Sequence, residues 1–284
     1  MEGAAHAAHG QRSNFPTRLV QGTADYYDRF RLSYPDTMLT DLSRRTRPSG
    51  RGRLLELACG TGQLAFPLCD RFADVWAVDA ECDMTNAIRA KATATEGATH
   101  VRAVTAKAEE LAMDAGSVEL IVIGNAFHRL RRGRVAQFAL TWLEPGRHLA
   151  LCWSTSPWPG PLDWQGVFAG LLRKWQEALG ATSRIPPGAE QQRQADPDQD
   201  VLSRAGFDPA DRHQFTAEHR WTIDELAGHV RSTSFLSPAV LADRAPEFDA
   251  DLRGELSPYA IDGHLTETVS FAYDLAHKPA AAAG

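Results

Sequence analysis

Leu54-Leu55-Glu56-Leu57-Ala58-Cys59-Gly60-Thr61-Gly62-Gln63 is the stretch on which the reading of this chain turns. The apolar residues up to Leu57 make a short strand, and the glycines that follow let the backbone bend sharply and come close to a ligand. A helix predicted over residues 63–71 then offers unpaired N–H groups at its start. Strand, turn and helix together make a cofactor site. Two kinds of cofactor satisfy the spacing, because Gly60-x-Gly62-x-x-Ala65 also fits the dinucleotide fingerprint, and Asp79 follows Gly60 by nineteen residues, where a ribose-binding acid belongs.

Outward from this turn the pattern is regular. Residues 75–79 read as a second strand, 100–105 as a third, 118–124 as a fourth, and 148–153 as a fifth after a turn at Glu144-Pro145-Gly146. Helices are predicted between them over about 83–95 and 133–142. Nearly continuous apolar strands alternating with helices imply a parallel sheet covered on both faces. Upstream, Tyr27, Phe30 and Tyr34 fall at helical spacing, and Pro35 opens a second short helix. Downstream the rhythm changes: Pro157, Pro159 and Pro161 lead into a helix over about 163–179, and a polar, proline-broken loop or lid follows. Further helices are predicted over 198–205, 223–232 and 238–255, with strands over 213–221 and 266–276.

Composition narrows the function. Of 284 residues, 43% are hydrophobic, enough for one sizeable core. Thirty Lys and Arg against 36 Asp and Glu give a net charge of −6, which disfavours nucleic acid and anionic membrane as partners. No apolar run approaches the roughly 20 residues of a membrane span, and the N-terminus lacks the pattern of a secretory signal, so a cytoplasmic protein is expected. Cys59, Cys69, Cys82 and Cys152 are scattered and read as reduced, mostly buried thiols. His213, His219 and His229 lack a helical HExxH or a carboxylate at ligand spacing, so they read as surface or packing histidines and no metal is expected.

Charge around the glycines separates the two cofactors. Glu56 would face the pyrophosphate of a nicotinamide cofactor, where like charges repel. An ammonium would be welcome there. S-adenosylmethionine (AdoMet) has an ammonium, a sulfonium and a ribose diol, and no phosphate. The stretch from Leu54 to Gly62 resembles motif I of the class I AdoMet-dependent methyltransferases of the small-molecule kind, and further blocks agree in order. Val75-Trp76-Ala77-Val78-Asp79-Ala80 with Met84 resembles the ribose-binding block, Lys107-Ala108-Glu109-Glu110-Leu111 the adenine-edge block, Gly124 to Leu130 the end of the fourth strand, and Leu143 to Leu151 the fifth-strand block.

The resemblance implies an α/β, Rossmann-like, seven-stranded, mostly parallel sheet with an antiparallel last strand, N-terminal cover helices and a helical insertion after strand 5. It divides the chain into a disordered tail (1–13), cover helices (14–50), an AdoMet-binding core (51–155), a helical or lid insertion (156–210), a part completing the sheet (211–278) and a second tail (279–284). Ala58, Cys59, Gly60, Thr61 and Gly62 would lie along the methionine moiety, with Glu56 and the Asn125 carbonyl near its ammonium and Arg31 near its carboxylate. Asp79 and Ala80 would meet the ribose, Met84 the adenine or ribose, Ala108 and Glu109 the adenine edge, and Tyr27 would cover the cofactor from above. Two positions depart from the pattern. Ala58 replaces a glycine, which is tolerable with negative φ, and Lys107 stands where a carboxylate usually accepts the adenine amino group.

His128 after the fourth strand is the candidate general base or pocket wall, and Tyr26, His128, Trp153 and Trp158 are the candidate substrate contacts. The expected reaction transfers a methyl group to an O, N or C nucleophile of a small molecule, a specialised natural-product metabolite, leaving S-adenosylhomocysteine (AdoHcy). A homodimer is left open. An NAD-linked oxidoreductase and a non-catalytic AdoMet-fold binding partner are the alternatives.

Overall fold

The computed structural model describes residues 22–182 and 194–280. Its strands are β1 (Arg53–Leu57), β2 (Asp74–Asp79), β3 (Val101–Thr105), β4 (Val118–Gly124), β5 (Leu143–Ser154), β6 (Asp211–Trp221) and β7 (Leu265–His277). They form one sheet in the order β3-β2-β1-β4-β5-β7-β6. Strands β1 to β5 pair in parallel, and β7 runs antiparallel to both β5 and β6. The strand order reverses direction between β1 and β4, which opens a crevice at their C-terminal ends. The glycine turn leaves β1 there, and residues 125–128 leave β4 beside it.

The helices are α1 (Ala24–Phe30), α2 (Asp36–Thr46), α3 (Ala65–Leu68), α4 (Cys82–Ala94), α5 (Arg132–Trp142), α6 (Asp163–Ala178), α7 (Asp198–Ala205), α8 (Ile223–Arg231), α9 (Pro238–Leu241) and α10 (Ala245–Leu256). Strict alternation along the strands sends Leu54, Val75, Val122 and Ala150 to a face covered by α2, α3 and α4. Leu55, Leu57, Ile121 and Leu149 go to the other face, under α5 and α7. Helices α6, α8 and α10 build a third cluster rich in aromatics, around Trp164, Phe168, Trp175, Trp221 and Phe248. No helix among the described residues is long and apolar enough to cross a membrane.

Four expectations need correction. The helix predicted over 63–71 is regular only from Ala65 to Leu68 before tightening into a 3₁₀ turn over Cys69–Arg71; the ring of Pro67 would collide with the Gln63 carbonyl in a helix that began earlier. The helix predicted over 238–255 breaks at Ala242, whose φ is +46°, since the ring of Pro246 would collide with that residue's carbonyl in a continuous helix. Glu144-Pro145-Gly146 is a bulge absorbed into β5, not a turn ahead of it, with the register shift falling opposite Glu119. Only Cys59 and Cys152 are buried, and Cys82 is exposed at the start of α4. The predicted tail at residues 1–13, residues 14–21 of the predicted cover helices, residues 183–193 of the predicted lid and residues 281–284 of the predicted tail at 279–284 lie outside the described residues.

His229 is a packing histidine, as expected. It is 4% exposed, with Trp158 and Trp221 edge-on at 5.7 and 5.3 Å, and burial depresses its basicity to a pKa of about 3. The unfolded chain therefore binds this proton more readily than the folded one. The stability linked to His229 is intact above about pH 6.5 and is lost as pH falls toward 3. Urea unfolding of wild type and His229→Phe at pH 7 and pH 5 is expected to show the variant gaining about 1–2 kcal/mol relative to wild type at the lower pH. A pH-independent difference would mean that His229 takes up its proton without unfolding.

Candidate active site

The turn after β1 runs through left-handed backbone at Ala58 (φ +50°), Gly60 (+55°) and Gly62 (+81°). The expectation of negative φ at Ala58 is thus overturned. The chain must reverse from strand into helix within a few residues, and Ala58 adopts the turn conformation at a cost of about 1–2 kcal/mol. Main-chain bonds fix the turn: Cys59 N–H donates to the Val78 carbonyl, and Gly62 N–H to that of Cys59. Gly60 has a second reason to be glycine. A Cβ there would come within 2.9 Å of the Tyr27 ring, so α1 rests directly on the turn.

Two acids hold the turn from below. Glu56, 1% exposed at the end of β1, accepts the N–H groups of Leu64 and Ala65 at 3.2 and 2.7 Å. It thereby satisfies orphan donors where α3 begins. Burial nevertheless pushes its carboxyl up to about 8, the two N–H bonds offsetting only part of the desolvation and nearby Asp79 adding to it. Asp79 accepts from Gly60 N–H and Glu81 N–H, both at 2.9 Å, and its carboxyl is also raised, burial outweighing those bonds. A crevice floored by two such acids gains from a cation and resists a phosphate.

One cation that acts on Asp79 was missed in the sequence. Arg129 is partly buried; desolvation lowers its pKa, while Tyr27 and Asp79 oppose the loss. Its position next to His128, at the end of a core strand, was the available signal. Arg31, just past the end of α1, stacks its guanidinium over the Tyr27 ring at 5.0 Å, and Tyr27 in turn lies against Gly60. Tyr26 stacks on Phe30 one turn along the same helix. Thr61 is fully buried with its hydroxyl unpartnered, and Met84 is buried in the first turn of α4, whereas Ala80 is exposed.

At the adenine-edge block Ala108 is buried, and Glu109 accepts the Arg131 N–H at 2.8 Å. Lys107 turns its ammonium to Glu110 at 3.0 Å in an exposed pair. Beyond β4, Asn125 has φ +51° and its side chain clasps Ser154 at the end of β5: Asn125 Nδ2 donates to Ser154 Oγ at 2.8 Å, and Ser154 N–H returns to Asn125 Oδ1 at 3.0 Å. The clasp is a pairing no local pattern announced. His128 follows in a 3₁₀ turn, half-buried. Trp153 and Trp158 are not brought together. Alternation along β5 sends Trp153 to the face shared with Leu149 and Leu151, while Trp158 packs against Phe168, His229 and Phe235 in the third cluster.

Known proteins resemble this chain in family and fold. Residues 54–146 match the family described as a methyltransferase domain. An uncharacterized methyltransferase of Mycobacterium tuberculosis strain H37Rv is 30% identical over 216 residues, covering 75% of this chain and 76% of the relative. A type II methyltransferase candidate of Anaeromyxobacter dehalogenans superimposes with a TM-score of 0.57 at 20% identity, over 89% of this chain and 100% of that one. Phosphoethanolamine N-methyltransferase 2 of Haemonchus contortus, solved with phosphomonomethylethanolamine and AdoHcy, gives 0.51 at 15% identity, over 90% of this chain and 57% of that one. The chain belongs to the methyltransferase family, with the class I architecture of its AdoMet-dependent members.

Proposed function

We propose that this methyltransferase uses AdoMet as donor and transfers its methyl group to an O, N or C nucleophile of a small molecule, a specialised metabolite, leaving AdoHcy. The observation that carries the donor is the pair of acids flooring the glycine turn, Glu56 fully buried and Asp79 partly so. When bound, AdoMet supplies a methyl group already activated by its sulfonium. The residues here bind, orient and exclude water. Glu56 and the Asn125 carbonyl face the ammonium, Arg31 the carboxylate, Asp79 the ribose, and Met84, Ala108 and Glu109 the adenine side. Tyr27 closes the crevice above Gly60. Most of the rate then comes from alignment in a desolvated site, and His128 takes the acceptor's proton at its imidazole.

The small-molecule reading is supported by the aromatic residues that the C-terminal part of the chain adds: most of them are packed inside the third cluster, and partly buried Trp158 is the one that would meet an apolar or aromatic acceptor. A net charge of −6 argues against nucleic acid or an anionic membrane as partner.

Calorimetry tests the donor. AdoMet and AdoHcy are expected to bind one site per chain in excess EDTA, because no paired acids at metal spacing accompany the fourth-strand motif, and NADH is expected not to bind. Binding of NADH in place of AdoMet would return the glycine turn to the dinucleotide reading, and loss of AdoMet binding on chelation would overturn the metal-free account. Mass spectrometry of the protein incubated with methyl-labelled AdoMet and a cell extract would then identify the acceptor.

A further inference from the structure

Helix α8, from the last third of the chain, is docked on the cover helix α1. The approach is close: a Cβ on Gly228 would fall 2.5 Å from the Phe30 ring, so glycine alone fits between them. His229 Nδ1 lies 3.0 Å from the Phe30 carbonyl, and since a carbonyl only accepts, that nitrogen carries the proton and caps the end of α1. Three residues on, Ser232 is fully buried and its hydroxyl is used twice. It donates to the His229 carbonyl at 2.5 Å and accepts from Arg31 Nε at 2.8 Å.

The consequence lies in what Arg31 has left. Its Nε is held by Ser232 and its flat face lies on Tyr27, the ring that covers Gly60. The Nη1 and Nη2 groups have no partner among the described residues. That end of a guanidinium presents two parallel donors, spaced for the two oxygens of one carboxylate. A free arginine would spread its long side chain over many rotamers, so fixing Nε removes much of the entropy that binding must otherwise overcome.

We propose that Ser232 is a positioning residue of the donor site: it holds Arg31 end-on to the carboxylate of the methionine moiety, so that the C-terminal part of the chain completes a subsite otherwise built by the cover helix and core. The proposal rests on the AdoMet reading above. It differs from a structural role for Ser232 in one measurable way, because positioning acts on the carboxylate alone.

Calorimetry with AdoMet and with decarboxylated AdoMet, which keeps the ammonium and sulfonium, separates the two. Ser232→Ala is expected to weaken AdoMet about tenfold and to leave the decarboxylated ligand within twofold of wild type. Ser232→Thr, which keeps the acceptor oxygen, is expected to recover most of the loss. In an Arg31→Lys background, which has no Nε to hold, Ser232→Ala is expected to change AdoMet affinity less than twofold. Ser232→Cys, nearly isosteric but a much weaker acceptor, serves where thermal unfolding shows that the alanine variant is not folded. Equal losses for both ligands, or none for either, would overturn the proposal. Wild-type protein that binds neither ligand would instead overturn the AdoMet reading.

Discussion

Replacing His128 by alanine is expected to lower the turnover rate by about 10²–10⁴-fold while AdoMet affinity stays within twofold. The imidazole sits in the 3₁₀ turn after β4, at the edge of the sheet where ligands of parallel α/β proteins bind, and in the proposed site the donor is held by other residues. Wild-type turnover at saturating acceptor is expected to fall on the acid side, through the range in which an imidazole gains its proton and ceases to be a base. His128→Asn distinguishes a base from a wall. It fills similar space and keeps a hydrogen-bonding edge, so a wall role would leave the variant most of its activity and wild type a flat pH profile, whereas a base role leaves the variant little activity and gives wild type the acid limb. Losses below tenfold in both variants, with no acid limb, would remove His128 from the mechanism and leave alignment as the main source of rate.

Asp79→Ala is expected to weaken AdoMet by about 2–4 kcal/mol, because a desolvated carboxylate accepting two ribose hydroxyls makes strong charge-assisted bonds. The structure adds a second effect that sequence reasoning had no reason to include. The same carboxylate accepts the N–H groups of Gly60 and Glu81, so the alanine variant leaves two donors unpaired beneath the turn and is expected to lose about 1–3 kcal/mol of stability. Asp79→Asn is no conservative control. Its amide nitrogen would face one of those N–H groups, donor against donor. Affinity for AdoMet within twofold of wild type, measured on folded Asp79→Ala, would show that the ribose is held elsewhere.

What the sequence by itself determined is local and periodic. Short apolar runs marked β1 to β4 within a residue or two, the glycines after β1 marked the turn from strand to helix, and the charge at Glu56 and Asp79 favoured the AdoMet reading over a pyrophosphate. These features concern residues close along the chain, where strand period, turn stereochemistry and helix starts act directly. The broken helix at Ala242 was also legible in principle, since Pro246 stands four residues beyond it. Tertiary structure alone decided the rest. Glu56 meeting the start of α3, the Asn125–Ser154 clasp, Arg129 acting on Asp79, and Ser232 reaching back 201 residues to Arg31 all depend on which elements pack together. The separation of Trp153 from Trp158 follows the same rule. Five positions apart in sequence, they belong to different clusters because one lies on the face of β5 and the other beyond its end. A side chain's partners are set by the packing of surfaces that the chain brings together only on folding, and no local period encodes that choice.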